Sequence, residues 1–105
     1  MKLNGVDYKI HEIDFNTVAD LQSYGINIYD PTVIQTQPLN LVRAFISISG
    51  GISIREAGNV LGEHMSNGGD LDDAYGEIGK AIEDSRFLQK MIQNAKGKLA
   101  GQTKA

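Results

Sequence analysis

Few side chains in this 105-residue chain could do acid–base, nucleophilic or metal chemistry, and their spacing assembles none of them into a working set. The histidines are His11 and His64. Glu63-His64 has one half of a zinc-protease helix and lacks the second histidine one turn away. No third ligand has suitable spacing, so His64 reads as a surface or helix-end residue. Asp70, Asp72 and Asp73 superficially resemble the start of a calcium loop. Such a loop needs oxygens at its first, third and fifth positions, a glycine at the sixth and a glutamate at the twelfth. Counted from Asp70, the last three of these positions are Ala74, Tyr75 and Ala81. The acids are better read as a helix N-terminus, where negative charge meets the positive end of the dipole.

Gly50-Gly51 and Gly68-Gly69 each precede a candidate helix, a place where anions can bind. Neither has the lysine of a phosphate loop or the glycine spacing of a dinucleotide fold. Glu56 and Asp70 at the two helix starts would compete with phosphate. No serine sits in a nucleophile motif. The chain has no cysteine, which excludes disulfides, thiolate catalysis and Cys-ligated zinc. We therefore expect no enzyme activity, no metal and no cofactor.

The chain has the length of one domain. Hydrophobic residues make up 41% of it with no Trp, so the core must be built mainly from Ile, Leu, Val, Met and Ala. A secreted chain of this size would usually carry disulfides, which favours an intracellular location. No signal-peptide pattern follows Met1-Lys2-Leu3. The most apolar run, Leu39 to Ile54, is interrupted by Asn40, Arg43 and two glycines and is too short to span a bilayer. Charge is segregated. Residues 1–84 hold all thirteen acids against five bases, a net −8, and residues 85–105 carry +5 through Arg86, Lys90, Lys96, Lys98 and Lys104. The basic end could meet an acidic partner, or simply favour a helix C-terminus.

Local signals place the elements. Asn4-Gly5 suits a two-residue hairpin turn that needs positive φ twice, with Val6, Tyr8 and Ile10 alternating inward against Asp7, Lys9 and His11. Asp14 can cap a helix from Phe15 to Tyr24 with Phe15, Val18 and Leu21 as its apolar stripe, ended by Gly25. Asp30-Pro31 marks a turn, and Val33-Ile34 a short helical turn. Ile46 to Ile54 could form a hairpin around Gly50-Gly51, but that register mixes isoleucines and serines on both faces. A helix starting at Pro38, with Leu39, Val42, Phe45, Ile46 and Ser49 inward, is the better reading. Ser53-Ile54-Arg55-Glu56 is a capping box for a helix to about Met65, in which Gly58 and Gly62 would let another helix approach. Asp70 is expected to cap a further helix with Leu71, Ala74, Tyr75, Ile78 and Ile82 inward, and Ser85 to begin a last one through Ala95. The fold class is α+β, mainly α: an N-terminal β-hairpin followed by four or five short helices. One globular domain is expected over residues 1–96, with the hairpin in 1–11, helices in 14–96 and a flexible basic tail at 97–105.

Ile54 to Gly62 resembles the first helix and turn of some helix-turn-helix regulators. The following helix would then have to approach DNA, and it carries Asp70, Asp72, Asp73 and Glu77. Four carboxylates oppose a polyanion, so this stands as an alternative, as does a non-enzymatic virion or adaptor component.

The whole layout resembles a known family. It comprises the Asn4-Gly5 hairpin, Phe15 opening a Leu-bearing helix, and the Tyr24-Gly25-Ile26 stop. Asn40-Leu41-Val42 then leads into an apolar helix, Gly-Gly, and a capped helix with Glu56-Ala57. Leu71-Asp72-Asp73-Ala74 and Ile82-Glu83-Asp84-Ser85 complete it. In order and spacing, over residues 1–92, this is similar to tail-assembly chaperones of long-tailed phages and prophages of Gram-positive hosts. The resemblance implies a holdase that keeps the tape-measure protein soluble in the host bacterial cytoplasm and also meets the tail-tube protein. It implies no ATP, no cofactor, no catalytic residue, no nucleic acid and no membrane, and leaves self-association open. Many members are made in two lengths by a programmed frameshift, for which the gene around Lys96-Gly97-Lys98 is the place to look.

A partner's amphipathic helix could lay its apolar face in a groove between helices. The candidate surface is Phe87, Leu88, Met91 and Ile92, rimmed by Arg86 and Lys90, unless these apolar residues simply pack on the core. Ile28 and Tyr29 form a second candidate, with the same alternative.

Overall fold

The computed structural model describes the backbone of residues 1–103 and the side chains of residues 1–94. The chain begins with a two-stranded antiparallel hairpin, β1 (Lys2–Leu3) and β2 (Val6–Asp7), in which Leu3 pairs with Val6. Asn4 at φ 50° and Gly5 at φ 79° make the turn, the left-handed pair that Asn-Gly tolerates. Met1 and Tyr8 extend the ladder, with Tyr8 N–H donating to Met1 O at 2.7 Å and the Met1 ammonium to Tyr8 O at 2.9 Å. That ammonium also pairs with the Asp7 and Glu77 carboxylates.

Six helices follow: α1 (Phe15–Ser23), α2 (Val33–Thr36), α3 (Pro38–Gly50), α4 (Ile54–Ser66), α5 (Asp72–Asp84) and α6 (Arg86–Thr103). The architecture is thus mainly helical with an N-terminal hairpin, as the periodicity predicts; the helix beyond the five expected is α2, the short turn at Val33-Ile34. Residues 97–103 of the segment expected as a tail continue α6. Residues 104–105, and every side chain after Asn94, lie outside the described residues.

Local chemistry explains the boundaries. Asp14 caps α1, accepting from Thr17 N–H at 2.9 Å and Thr17 Oγ1–H at 3.1 Å. Those bonds, the backbone one foremost, hold its carboxyl below the ordinary value. Pro38 opens α3, and Gly51 ends it in the left-handed conformation at φ 63°. The reading of helix, loop and helix across Gly50-Gly51 therefore stands, and the hairpin alternative does not. Buried Ser47 braces the turn by donating to Ile52 O at 2.6 Å, which leaves its oxygen to accept from Tyr24 Oη–H at 3.2 Å. Ser53 caps α4 through Glu56 N–H at 3.1 Å.

α3 is the hub, touching α1, α2, α4 and α5. Leu41, Val42, Ala44, Phe45 and Ile46 are each no more than 1% exposed. A helix surrounded on several sides buries more than one stripe, which is why Leu41 and Ala44 join the expected Val42, Phe45 and Ile46. Four sequence expectations need correction. Leu39, at the first turn of α3 and clear of its neighbours, is 50% exposed. Phe15, at the first turn of α1, is 68% exposed. Val6 is 51% exposed because a two-residue strand next to its turn is too short to carry alternation; its partner Leu3 takes the inner position against α4. Asp70 is not the cap of α5. Leu71 is drawn into the core and occupies the cap position, and Asp70 accepts from Asp72 N–H at 3.2 Å from one residue further out.

His64 ties the hairpin to the body. Asn4 N–H donates to His64 Nδ1 at 3.0 Å, and His64 Nε2 lies 2.8 Å from Asp70 O. A carbonyl only accepts, so Nε2 donates to Asp70 O while Nδ1 accepts from the Asn4 amide; the ring is a strut between two turns. Gly69 packs against this ring so closely that an added Cβ would land on it. We expect Gly69→Ala to push His64 off both partners and cost about 1–3 kcal/mol. Urea unfolding checks the cost, and faster hydrogen exchange at the Asn4 amide checks the cause. An Asn4 amide as protected as in the parent protein would refute that route.

Candidate interaction surfaces

The predicted site residues separate into three environments. Leu88 is wholly buried and belongs to the core. It lies beneath the Ser85 junction, where Ser85 Oγ accepts from Leu88 N–H at 3.1 Å and donates to Ile13 O at 2.5 Å. Phe87 is half-buried and meets Phe15 edge to face, with ring centroids 6.2 Å apart at 77°. That contact gives Phe15 a neighbour on the surface instead of in the core. Arg86 and Lys90 are exposed, and so is Met91.

Ile92 faces elsewhere. It lines a groove of about 250 Å³ together with Ile28, Tyr29, Asp30, Pro31, Val33, Ile34 and Ile82. The structure therefore brings the two separately nominated segments, the Ile28-Tyr29 loop and the α6 face, to one place through Ile92. It does not bring Arg86, Phe87, Leu88, Lys90 or Met91 there. The loop wall is built by local bonds. Tyr29 N–H donates to Asn27 Oδ1 at 3.0 Å, and Asp30 Oδ1 accepts from Thr32 N–H at 2.9 Å and Thr32 Oγ1–H at 2.7 Å. The Thr32 hydroxyl first, then its amide, holds the Asp30 carboxyl below the ordinary value. Ile28 and Val33 are themselves buried, so the loop carries both floor and wall. Its partly exposed apolar lining is Tyr29, Ile34, Ile82 and Ile92.

Sequence reasoning missed a second groove, of about 620 Å³, between α3 and α4. Leu39 and Arg43 come from α3, and Gly58, Leu61, Gly62 and Met65 from α4. The one signal for it was the spacing of Gly58 and Gly62, read as room for a neighbouring helix. Gly58 does face Arg43, whose Cδ would lie 3.4 Å from an added Cβ. Gly62 faces open space.

Asp72, Asp73 and Glu77 are exposed on α5. Tyr75 has its hydroxyl pushed up, by burial first and by the Asp72 charge second. Among the described residues, no cluster of three or more His, Asp or Glu side chains is placed to hold a metal ion. No described helix is long and apolar enough to cross a membrane. No family model, curated protein or solved structure matches the chain.

Proposed function

We propose that this chain is a non-catalytic tail-assembly chaperone that holds the tape-measure protein of a long-tailed phage soluble until tail-tube subunits polymerise around it. The observation that carries the reading is the groove walled by Tyr29 and Ile34 on one side and by Ile82 and Ile92 on the other. It is apolar, open to solvent and shaped by α2, α5, α6 and a braced loop, the geometry in which an amphipathic helix lays down its apolar stripe. The order and spacing of elements over residues 1–92, similar to such chaperones, supply the identity of the client.

The function needs no reactive group. A holdase works by covering apolar surface that would otherwise aggregate, and a groove this small covers one or two turns of a client helix at a time. Long clients would then take several copies, each weakly bound, so that advancing tube subunits can displace them. Weak, repeated contacts also fit a groove of isoleucines with few polar groups to impose register.

Co-expression with a long helical tape-measure protein tests the reading. The client is expected in the soluble fraction with the parent chain and in the pellet with the Ile34→Ser/Ile92→Ser variant. Both positions are partly exposed, so circular dichroism should show the variant folded. A client no more soluble with the parent chain than without it would overturn the proposal.

A further inference from the structure

We propose that the α3–α4 groove is a separate docking site for a helical segment of a partner protein that presents a bulky apolar side chain beside a carboxylate. Three observations at the groove point the same way. First, its walls carry Leu39 at 50% and Met65 at 45% exposure, two of the most exposed large apolar side chains among the described residues. Leu39 opens its helix and Met65 nears the end of its own, so both lie along the groove margins with none of the described residues sealing them off.

Second, Arg43 is incompletely satisfied. Its Nη2 donates to Asn40 Oδ1 at 2.5 Å, and Asn40 is itself held by its Nδ2–H groups, which donate to Tyr24 O at 3.4 Å and Gln37 Oε1 at 3.2 Å. The Arg43 Nε, in contrast, is buried with no acceptor. An unpaired donor on a charged group is costly to keep. That nitrogen is closed to an occupant, so a carboxylate can meet the guanidinium only from its Nη side. Among the described residues no carboxylate lines the groove, although residues 1–84 carry thirteen acids. Arg43 is the one charged side chain among its described lining, so the complementary occupant is anionic where it meets Arg43 and apolar where it meets Leu39 and Met65.

Third, room is left at Gly62. A side chain there would touch nothing in the chain, so the glycine serves no internal packing contact. In a helix interior that choice costs stability relative to alanine. A partner seated against the α4 backbone gives it a use. The site is distinct from the isoleucine groove in position and chemistry, and it stands whether or not that groove holds a tape-measure client.

The test uses the full chain and a labelled alanine-rich helical peptide of about 18 residues, long enough to be partly helical alone, with leucines four residues apart and a glutamate between them. Saturable binding by fluorescence anisotropy is expected, with amide shifts in nitrogen-resolved NMR confined to residues 39–43 and 58–65. The matched peptide with glutamine for glutamate, and the Arg43→Met protein, should each bind about ten-fold more weakly. Gly62→Leu projects into the groove from a Cβ that meets no neighbour, so it should abolish binding while the melting temperature holds or rises. Ile34→Ser/Ile92→Ser should bind the peptide as the parent does. No saturable binding, equal affinity for the glutamine peptide, or shifts at the isoleucine groove would each overturn the proposal. So would sedimentation showing a dimer that Gly62→Leu converts to monomer, because the occupant would then be a second copy of this chain.

Discussion

Replacing Ser85 with alanine should remove about 2–4 kcal/mol of stability and lower the melting temperature by roughly 10–20 °C, far more than deleting one oxygen atom from a surface would do. Ser85 is fully buried between α5 and α6, and its hydroxyl does two things at once. It accepts from Leu88 N–H at 3.1 Å, as an N-cap does, and it donates to Ile13 O at 2.5 Å. Losing the cap costs about 0.5–2 kcal/mol. Leaving the Ile13 carbonyl buried without a donor adds about 1–3 kcal/mol, because water cannot replace the lost proton. The second term separates this serine from an ordinary cap. The bond joins the segment that links the hairpin to α1 with the junction that aims α6, across 72 positions of sequence. Urea unfolding measures the total. Hydrogen exchange divides it: the Leu88 amide should lose protection, and so should the start of α1. A loss under about 1 kcal/mol would mean that the Ile13 carbonyl finds another donor and that the junction is held by packing alone.

That bond also marks where sequence reading stops. Interactions confined to a few neighbouring residues were legible. Asn4-Gly5 makes the turn its φ preferences predict, Asp14 and Ser53 accept from the amides three residues on, and Gly51 ends α3 in the left-handed region. Ser85 was legible as a helix start for the same reason, and its bond to Ile13 was not, because nothing near either residue announces the other. The failures share one cause. Phe15 and Leu39 fit an apolar stripe by spacing, yet each sits in the first turn of its helix and is left exposed. Leu41 and Ala44 lie off the predicted stripe, yet α3 is enclosed on several sides. A period says which residues share a face, not how many faces a helix will have covered.

The same limit governed the surfaces. The Ile28-Tyr29 loop and the α6 face were each visible as apolar, but that Ile92 meets the loop and Leu88 does not depends on how α6 leaves Ser85. The α3–α4 groove had a trace in Gly58 and Gly62. Arg43, which gives that groove its charge, looked from the sequence like one cation inside an apolar run.

Phe45 is where the largest loss of stability is expected. It is 1% exposed in the middle of α3, and that helix contacts α1, α2, α4 and α5. Truncation to alanine removes most of a ring that neighbours on several helices share, and the cavity cannot close by moving one helix without opening a gap against another. The expected cost is about 3–5 kcal/mol. A domain of this size has about 5–15 kcal/mol in total, so Phe45→Ala should be marginally folded at best. Phe45→Leu keeps most of the volume and should lose well under half as much. The pair separates cavity formation from loss of aromatic contact, because both variants lack the ring and only alanine leaves the space. A comparable loss in the two variants would mean that ring-specific contacts dominate and that α3 is less tightly enclosed than its burial implies. Because both grooves have α3 or its neighbours as walls, the variants also couple stability to binding. Phe45→Leu, if folded, should still bind the acidic peptide, since Leu39 and Arg43 leave α3 from positions outside the buried centre.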